Sequence, residues 1–222
     1  ADIVVGGADY HHLEQKVLDK PYRQYDESYW ASRVMAPSSL VFYLGIKGRM
    51  KDVLHHNLFF DADFKIHSEE IYTSKKWPTD PLFYMSAPSM TDDSVAPDGH
   101  ENLFILIPIA PDLEDNEAIR EHYFSRVLER IKMITGEDLQ DRIVYKRSYC
   151  VKDFKADYHS FQGNAYGLAN TLRQTAFMKP KMKSRKLDNL YFTGQLTVPG
   201  PGIPPALISG QIVAREVMKN YA

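Results

Sequence analysis

The chain has 222 residues, 44% of them apolar and 12% aromatic, with 27 basic and 29 acidic side chains and a formal charge of −2. That length and apolar content allow one or two domains around a sizeable core. The near-balanced charge, with no RRM, KH or zinc-finger signature, excludes nucleic acid as the expected partner, and no apolar run approaches the ~18–20 residues of a membrane-spanning helix.

The first residues, Ala1-Asp2-Ile3-Val4-Val5-Gly6-Gly7, lack a methionine and any basic-then-apolar leader. They read as a chain entered in mid-domain, with Ile3–Val5 a strand stopped by two glycines. Asp9 is placed to cap a short helix whose buried stripe is expected at Leu13, Val17 and Leu18. Pro21 to Tyr29 is expected to be a polar connection. Ser39–Lys47 mixes aromatic and β-branched residues and predicts a strand, and His56–Phe60 predicts another.

Leu82–Ser89 and Leu103–Ala110 predict two antiparallel strands joined through a turn-rich stretch containing Pro97-Asp98-Gly99. The second is apolar on both faces and is expected inside a sheet, with Pro108 taking its end off the ladder. Helical spacing of Ile119, Tyr123, Val127, Ile131 and Ile134 predicts a helix over Asp115–Thr135, ended by Gly136. Arg142–Tyr149 predicts a strand; Phe154–Thr171 is ambiguous, with helix expected after a loop broken by Gly163 and Gly167. Leu190–Thr193 predicts a short strand, followed by a glycine- and proline-rich turn and a final helix to about Tyr221.

The single cysteine, Cys150, forms no internal disulfide and reads as core filler, in keeping with a reducing compartment. His11-His12 and His55-His56 have no third ligand at a metal-binding spacing, so no metal site is expected. Asp92-Asp93 sits among turn residues and reads as turn chemistry. Lys179 to Lys186 carries five cations in eight residues: a solvated loop, or a contact with an acidic membrane surface. The aromatic residues of 40–46 and 82–84 are expected in the core, with some free to wall a channel.

The most informative stretch runs from Asn189 to Gln211. It spells strand, tight turn, helix, with Gly194, Gly200 and Gly202 expected to leave backbone N–H groups bare. Pro204 and Pro205 suit a first helical turn, and Ile203, Ala206, Leu207, Gly210, Val213, Ala214 and Val217 form one stripe. By physics alone, such a unit is a ligand loop or a plain connection.

The stretch resembles the C-terminal flavin-binding signature of carotenoid desaturases, in which an N-L-Y-x-x-G strand leads to P-G-x-G-I-P and a small-residue helix. Ala1–His12, Ser38–Gly45, Pro88–Gly99 with Leu103–Pro108, and Phe161–Gly167 resemble further segments of that family, in the same order. The resemblance implies FAD as cofactor and assigns flavin contacts to Gly194, Gln195, Pro199, Gly200, Gly202, Ile203 and Pro204. Gln195, Pro201 and Pro205 depart from the family's small residues or glycine. No G-x-G-x-x-G occurs in the chain, so the pyrophosphate turn is missing and the FAD site is expected to be incomplete, leaving this chain inactive alone.

The implied architecture is α/β: part of a Rossmann-like FAD-binding domain (1–30 and 150–222) and a largely antiparallel, sheet-based substrate domain with packed helices (31–149). The implied activity is desaturation of phytoene or a related hydrophobic polyene, at the periphery of a membrane on its cytoplasmic side. Isomerase or saturase chemistry within the family, and a non-enzymatic isoprenoid- or lipid-binding role, are the alternatives. The oligomeric state and the catalytic residues stay open.

Overall fold

The computed structural model describes residues 1–221. In chain order it forms β1 (Val4–Gly6), α1 (Tyr10–His12, continued by a π turn over Leu13–Val17), α2 (Glu27–Ala31), β2 (Ser38–Lys47), β3 (His56–Phe59) and α3 (Phe64–Glu69, continued by a π turn over Glu70–Ser74). It continues with β4 (Phe83–Ser86), β5 (His100–Ile109), α4 (Glu117–Thr135), β6 (Ile143–Tyr149), α5 (Val151–Tyr158), β7 (Leu190–Phe192) and α6 (Ile203–Tyr221). The chain is a mixed α/β protein in two compact units, one made of Ala1–Pro37 and Asp153 onward, the other of Ser38–Lys152.

In the discontinuous unit, β1 and β7 pair in parallel, Val4 opposite Leu190 and Gly6 opposite Phe192. Asp9 caps α1 by accepting from His12 N at 3.0 Å. Tyr10 then stacks on Phe192 with ring centroids 3.9 Å apart, and Trp30 of α2 packs beside it. These side chains join Met35, Leu168, Leu190 and Leu196 in a small core. Of the stripe expected on the first helix, Leu13 and Leu18 pack against this core, but Val17 is 63% exposed, while Glu14 and Gln15 are buried. The helix widens so that Leu18 N bonds Leu13 O, five residues back, which rotates Glu14 inward. The expected polar connection before Tyr29 is also corrected, because Asp26 caps α2 and carries Trp30 into the core.

The other unit is a five-stranded antiparallel sheet in the order β3-β4-β5-β2-β6. Ten residues of β2 pair with ten of β5, Ser38 opposite Ile109 through Lys47 opposite His100. Alternation puts Phe42, Met85, Ile105 and Ile107 on one face, where Tyr123, Phe124, Val127 and Ile131 of α4 cover them. Asn116 caps α4, and Gly136 ends it at φ +75°. Ile134 departs from the expected stripe at 49% exposed.

Pro108 does not leave the ladder, contrary to expectation: it stands opposite Ser39. Its missing N–H falls on the β4 side, beyond the last β4–β5 pair, Tyr84 with Leu106. There His67 of α3 fills the gap. Leu82 N donates to its Nδ1 at 2.7 Å, so Nε2 carries the proton and donates to Pro108 O at 3.0 Å. The histidine ring thus bridges Leu82 N to Pro108 O where the two strands are not directly paired.

Beyond α5, the expected helix over Phe154–Thr171 is corrected. The chain helix ends at Tyr158, His159 adopts φ +52°, and residues 160–171 form a loop. Asn164, buried, holds that loop by accepting from Gly167 N at 2.6 Å and donating to Phe161 O at 2.6 Å.

Candidate functional site

Because β1 and β7 are parallel, both carboxyl ends emerge on one edge. Gly7-Ala8-Asp9 leaves β1 there, and Thr193-Gly194-Gln195 leaves β7. A cleft of about 460 Å³ lies at this edge, bounded by those turns, by Tyr158 and Asn164, and by Ala206 of α6. The crevice outside the carboxyl ends of parallel strands is where α/β folds place ligands.

Ser209 fixes α6 to this edge. Its hydroxyl donates to Ala206 O at 2.6 Å and accepts from Gly194 N at 2.8 Å. With that single proton used, Thr193 Oγ1 is the donor in the 2.6 Å contact with Ser209 Oγ. Thr197 N and Oγ1 both bond Gly194 O, at 3.1 and 2.8 Å, which closes the turn. Gly194 N is therefore satisfied inside the protein, contrary to the bare N–H expected of it.

The seven residues singled out in the sequence divide. Gly194 and Gln195 line the cleft. Pro199, Gly200 and Gly202 form the turn that leads into α6, with Val198–Pro199 cis and the two glycines at φ +135° and +105°. Ile203 and Pro204 start α6 and are exposed, Ile203 at 80%. Along α6 the expected stripe is narrower than predicted: Ser209 and Val213 are buried, while Leu207 is 68% exposed.

Three residues that the sequence placed in other roles also contribute here. Asp9 turns one carboxylate oxygen to His12 N and the other to Phe161 N, at 3.0 and 3.2 Å. Burial raises its pKa, and these hydrogen bonds only partly oppose that. Gly167, at φ +81°, lies so close to the cleft that a Cβ there would sit 2.7 Å from Gln195 O. Lys179 is 3% exposed, and its Nζ has no hydrogen-bond partner among the described residues. A Cβ on Gly200 would lie 3.4 Å from that nitrogen. Lys183 is half-buried over Tyr191. Two of the five cations expected to face solvent or a membrane are therefore turned inward.

The antiparallel sheet has a second face, opposite its core. Register puts Leu58, Tyr84, Leu106, Val41 and Tyr149 in one row across all five strands. The next row places Phe104 beside Tyr43, with ring centroids 5.5 Å apart. Four strand spacings make the first row roughly 19 Å long. Phe42 and Phe83, by contrast, point into the core.

The histidine pairs serve local roles: His11 bonds Glu27, His12 stacks on His159, and His55 and His56 bond Thr91 and Tyr84. Asp92 accepts from Ser94 N and Oγ, which caps a turn and holds its carboxyl below the usual range. Among the described residues no three His, Cys, Asp or Glu are grouped to hold a metal, and no helix is long and apolar enough to cross a membrane.

No family model matches the chain. It is 47% identical to the carotenoid 3,4-desaturase of Haloarcula japonica, over 100% of this chain and 45% of that protein. It is 31% identical to the zeta-carotene-forming phytoene desaturase of Myxococcus xanthus, over 98% of this chain and 42% of that one. The chain thus spans less than half the length of these relatives. The crystal structure of an oxidoreductase from Methanosarcina mazei shares the fold, with a TM-score of 0.55 and 14% identity over 97% of this chain and 43% of that one.

Proposed function

The chain belongs to the carotenoid desaturases, matching the C-terminal ~45% of their length, and on that premise we propose that the protein is an FAD-dependent oxidoreductase that desaturates a long hydrophobic polyene. In this reading the discontinuous unit is the C-terminal part of a Rossmann-like FAD-binding domain, and the sheet unit, residues 38–152, receives the substrate. FAD supplies the hydride acceptor; a proton leaves the neighbouring carbon as the double bond forms. The protein's own residues position the two reactants and keep water out.

The observation that carries this reading is the placement of the Gly194–Pro204 turn at the carboxyl edge of a parallel strand pair, ahead of the N-terminus of α6. Gly194, Gln195, Pro199, Gly200, Gly202, Ile203 and Pro204 are the proposed flavin contacts. Three glycines at positive φ suit a flat ligand that carries polar groups. The row Leu58–Tyr84–Leu106–Val41–Tyr149 is the proposed apolar floor for the polyene. Substrates of that class dissolve in bilayers, so the protein is proposed to work peripherally on a cytoplasmic membrane face. Exposed Leu172 and Phe177, flanked by Arg173 and Lys181, are the side chains suited to that contact.

The test is Gly202→Val in a full-length protein. At φ +105° a β-branched residue is strained, while a Cβ meets only Pro205 at 3.5 Å, so the turn changes and the fold survives. Flavin absorbance of the purified variant should be lost with its circular dichroism unchanged. Retention of the full flavin band would remove this turn from the cofactor site.

A further inference from the structure

The cleft at the carboxyl edge of β1 and β7 has three walls: the β1 turn (residues 7–10), the loop after α5 (160–165) and the β7 turn (193–196). Different contacts tie them together. The two turns are joined through the strand pair, with Thr193 N donating to Gly6 O at 3.0 Å. The loop meets the β7 turn where Gly167 lies against Gln195 O. Between the β1 turn and the loop runs a hydrogen bond to a side chain. Phe161 N donates to one oxygen of Asp9 at 3.2 Å, and His12 N donates to the other at 3.0 Å. Among the described residues lining the cleft, Asp9 is the one whose side chain carries a charge.

A helix cap alone does not call for a carboxylate. The bond from His12 N could be taken equally well by Ser, Thr or Asn. Asp9 is half-buried, and burial raises its pKa, a cost that a neutral cap avoids. What the carboxylate adds is a second acceptor for a second backbone donor. Asn would turn its NH2 group to one of those two donors and leave it unanswered. The far end of the loop is held by main chain, with Ala165 N on Pro37 O at 3.2 Å and Ala36 N on Gly167 O at 2.8 Å. The near end leaves α5 through His159, at φ +52°, and Asp9 holds the chain two residues later.

We propose that Asp9 is a positioning residue of the flavin cleft, its two carboxylate oxygens fixing the loop wall at 160–165 against the β1 turn. This rests on the flavin reading above. The ligand need not touch the carboxylate, because both oxygens are engaged by backbone N–H groups and the residue acts through the walls. Asn164 and Ala165 ride on the clasped loop and line the cleft together with Gly194 and Gln195. A wall held in place before the ligand arrives spares binding the cost of ordering that loop.

The experiment compares wild type, Asp9→Asn and Asp9→Ser in the full-length protein, by amide hydrogen exchange over residues 160–167 and by FAD-binding titration. Both replacements are good helix caps, so a role confined to capping leaves the two readings as in wild type. The proposal expects exchange over 160–167 to quicken, and FAD affinity to fall, each by at least about fivefold, the usual weight of one net hydrogen bond. Exchange in α6 and the far-ultraviolet circular dichroism should not change. A smaller change in FAD affinity overturns the proposal, and so does a variant that loses thermal stability while its affinity holds. Where neither variant folds, wild type decides: bound FAD must slow exchange over 160–167, and equal exchange with FAD bound and removed overturns the assignment. A wild type that binds no FAD refutes the flavin reading instead, and exchange in Asp9→Asn still decides whether the clasp exists.

Discussion

Gly167→Ala tests whether the cleft wall is built by close backbone approach. Residue 167 sits at φ +81°, where a Cβ costs roughly 1–2 kcal/mol in an L-residue. The same Cβ would lie 2.7 Å from Gln195 O and 3.0 Å from its carbonyl carbon. Those are main-chain atoms, so relief requires the turn after β7 to move. Overpacking of that kind costs about 1–3 kcal/mol, which brings the expected loss to about 2–5 kcal/mol. Gly194→Ala in the same unit is the comparison. Its φ is +105° and a Cβ there meets nothing within 4 Å, so only backbone strain of about 1–3 kcal/mol applies. Urea unfolding read by circular dichroism gives both losses, provided that the m-values match wild type. Gly167→Ala should be the more damaging and should also displace Gln195 enough to weaken flavin retention. A loss no greater than that of Gly194→Ala would refute the close approach as the reason for glycine.

Two further outcomes follow from buried groups in the sheet unit. His67 is held neutral, its pKa lowered chiefly by burial and further by Arg130, against opposing effects of Pro108 O and Glu70. Because the unfolded state takes up a proton that the folded state refuses, stability should decline as pH falls below about 6.5, by at most ~1.4 kcal/mol per pH unit more than in His67→Gln; parallel pH profiles for the two proteins would disprove that the fold holds His67 neutral. Asp115 receives Arg120 in a two-pronged bond of 2.6 and 2.7 Å and Lys152 N at 2.8 Å. Burial alone would raise its pKa, and these donors outweigh that and lower it, so its contribution is full above about pH 4 and fades as pH falls through the depressed value. Asp115→Ala takes the carboxylate from the mostly buried Arg120, which keeps its bond to Ser148 Oγ, and should cost about 3–5 kcal/mol by denaturant unfolding, whereas a loss under 1 kcal/mol would show that the pair carries no net weight.

Most elements that the sequence announced are those whose signal is local. α4 was legible because its residues repeat at the helical period, β2 and β7 because their aromatic and β-branched residues favour strand, and Asn116 and Gly136 bound α4 by ordinary capping chemistry. What escaped the pattern depended on partners distant in the chain. The first helix buries Glu14 rather than Val17 because a π turn rotates it, a device with no periodic signature. Pro108 stays in its ladder with β2, opposite Ser39, while its carbonyl on the other side is taken by His67, 41 residues away. The stretch 154–171 was ambiguous in sequence, and the helix expected in it stops at Tyr158, after which Asn164 holds the backbone through local bonds.

The candidate site shows the same division inside one motif. A glycine-rich signature reads as a single feature in sequence, but its glycines answer different physical demands. Gly194 needs its conformation, with open space where a side chain would go. Gly200 needs its conformation and also cedes volume to the Lys179 amine. Gly167, outside the signature and 28 residues before Gln195, needs the volume for a main-chain oxygen. Lys179 belongs to a basic run that sequence assigns to solvent or a membrane surface, yet it is buried, with its amine beside the turn at Gly200. Spacing therefore locates such a loop, while the partners of each missing side chain decide what the loop is able to hold.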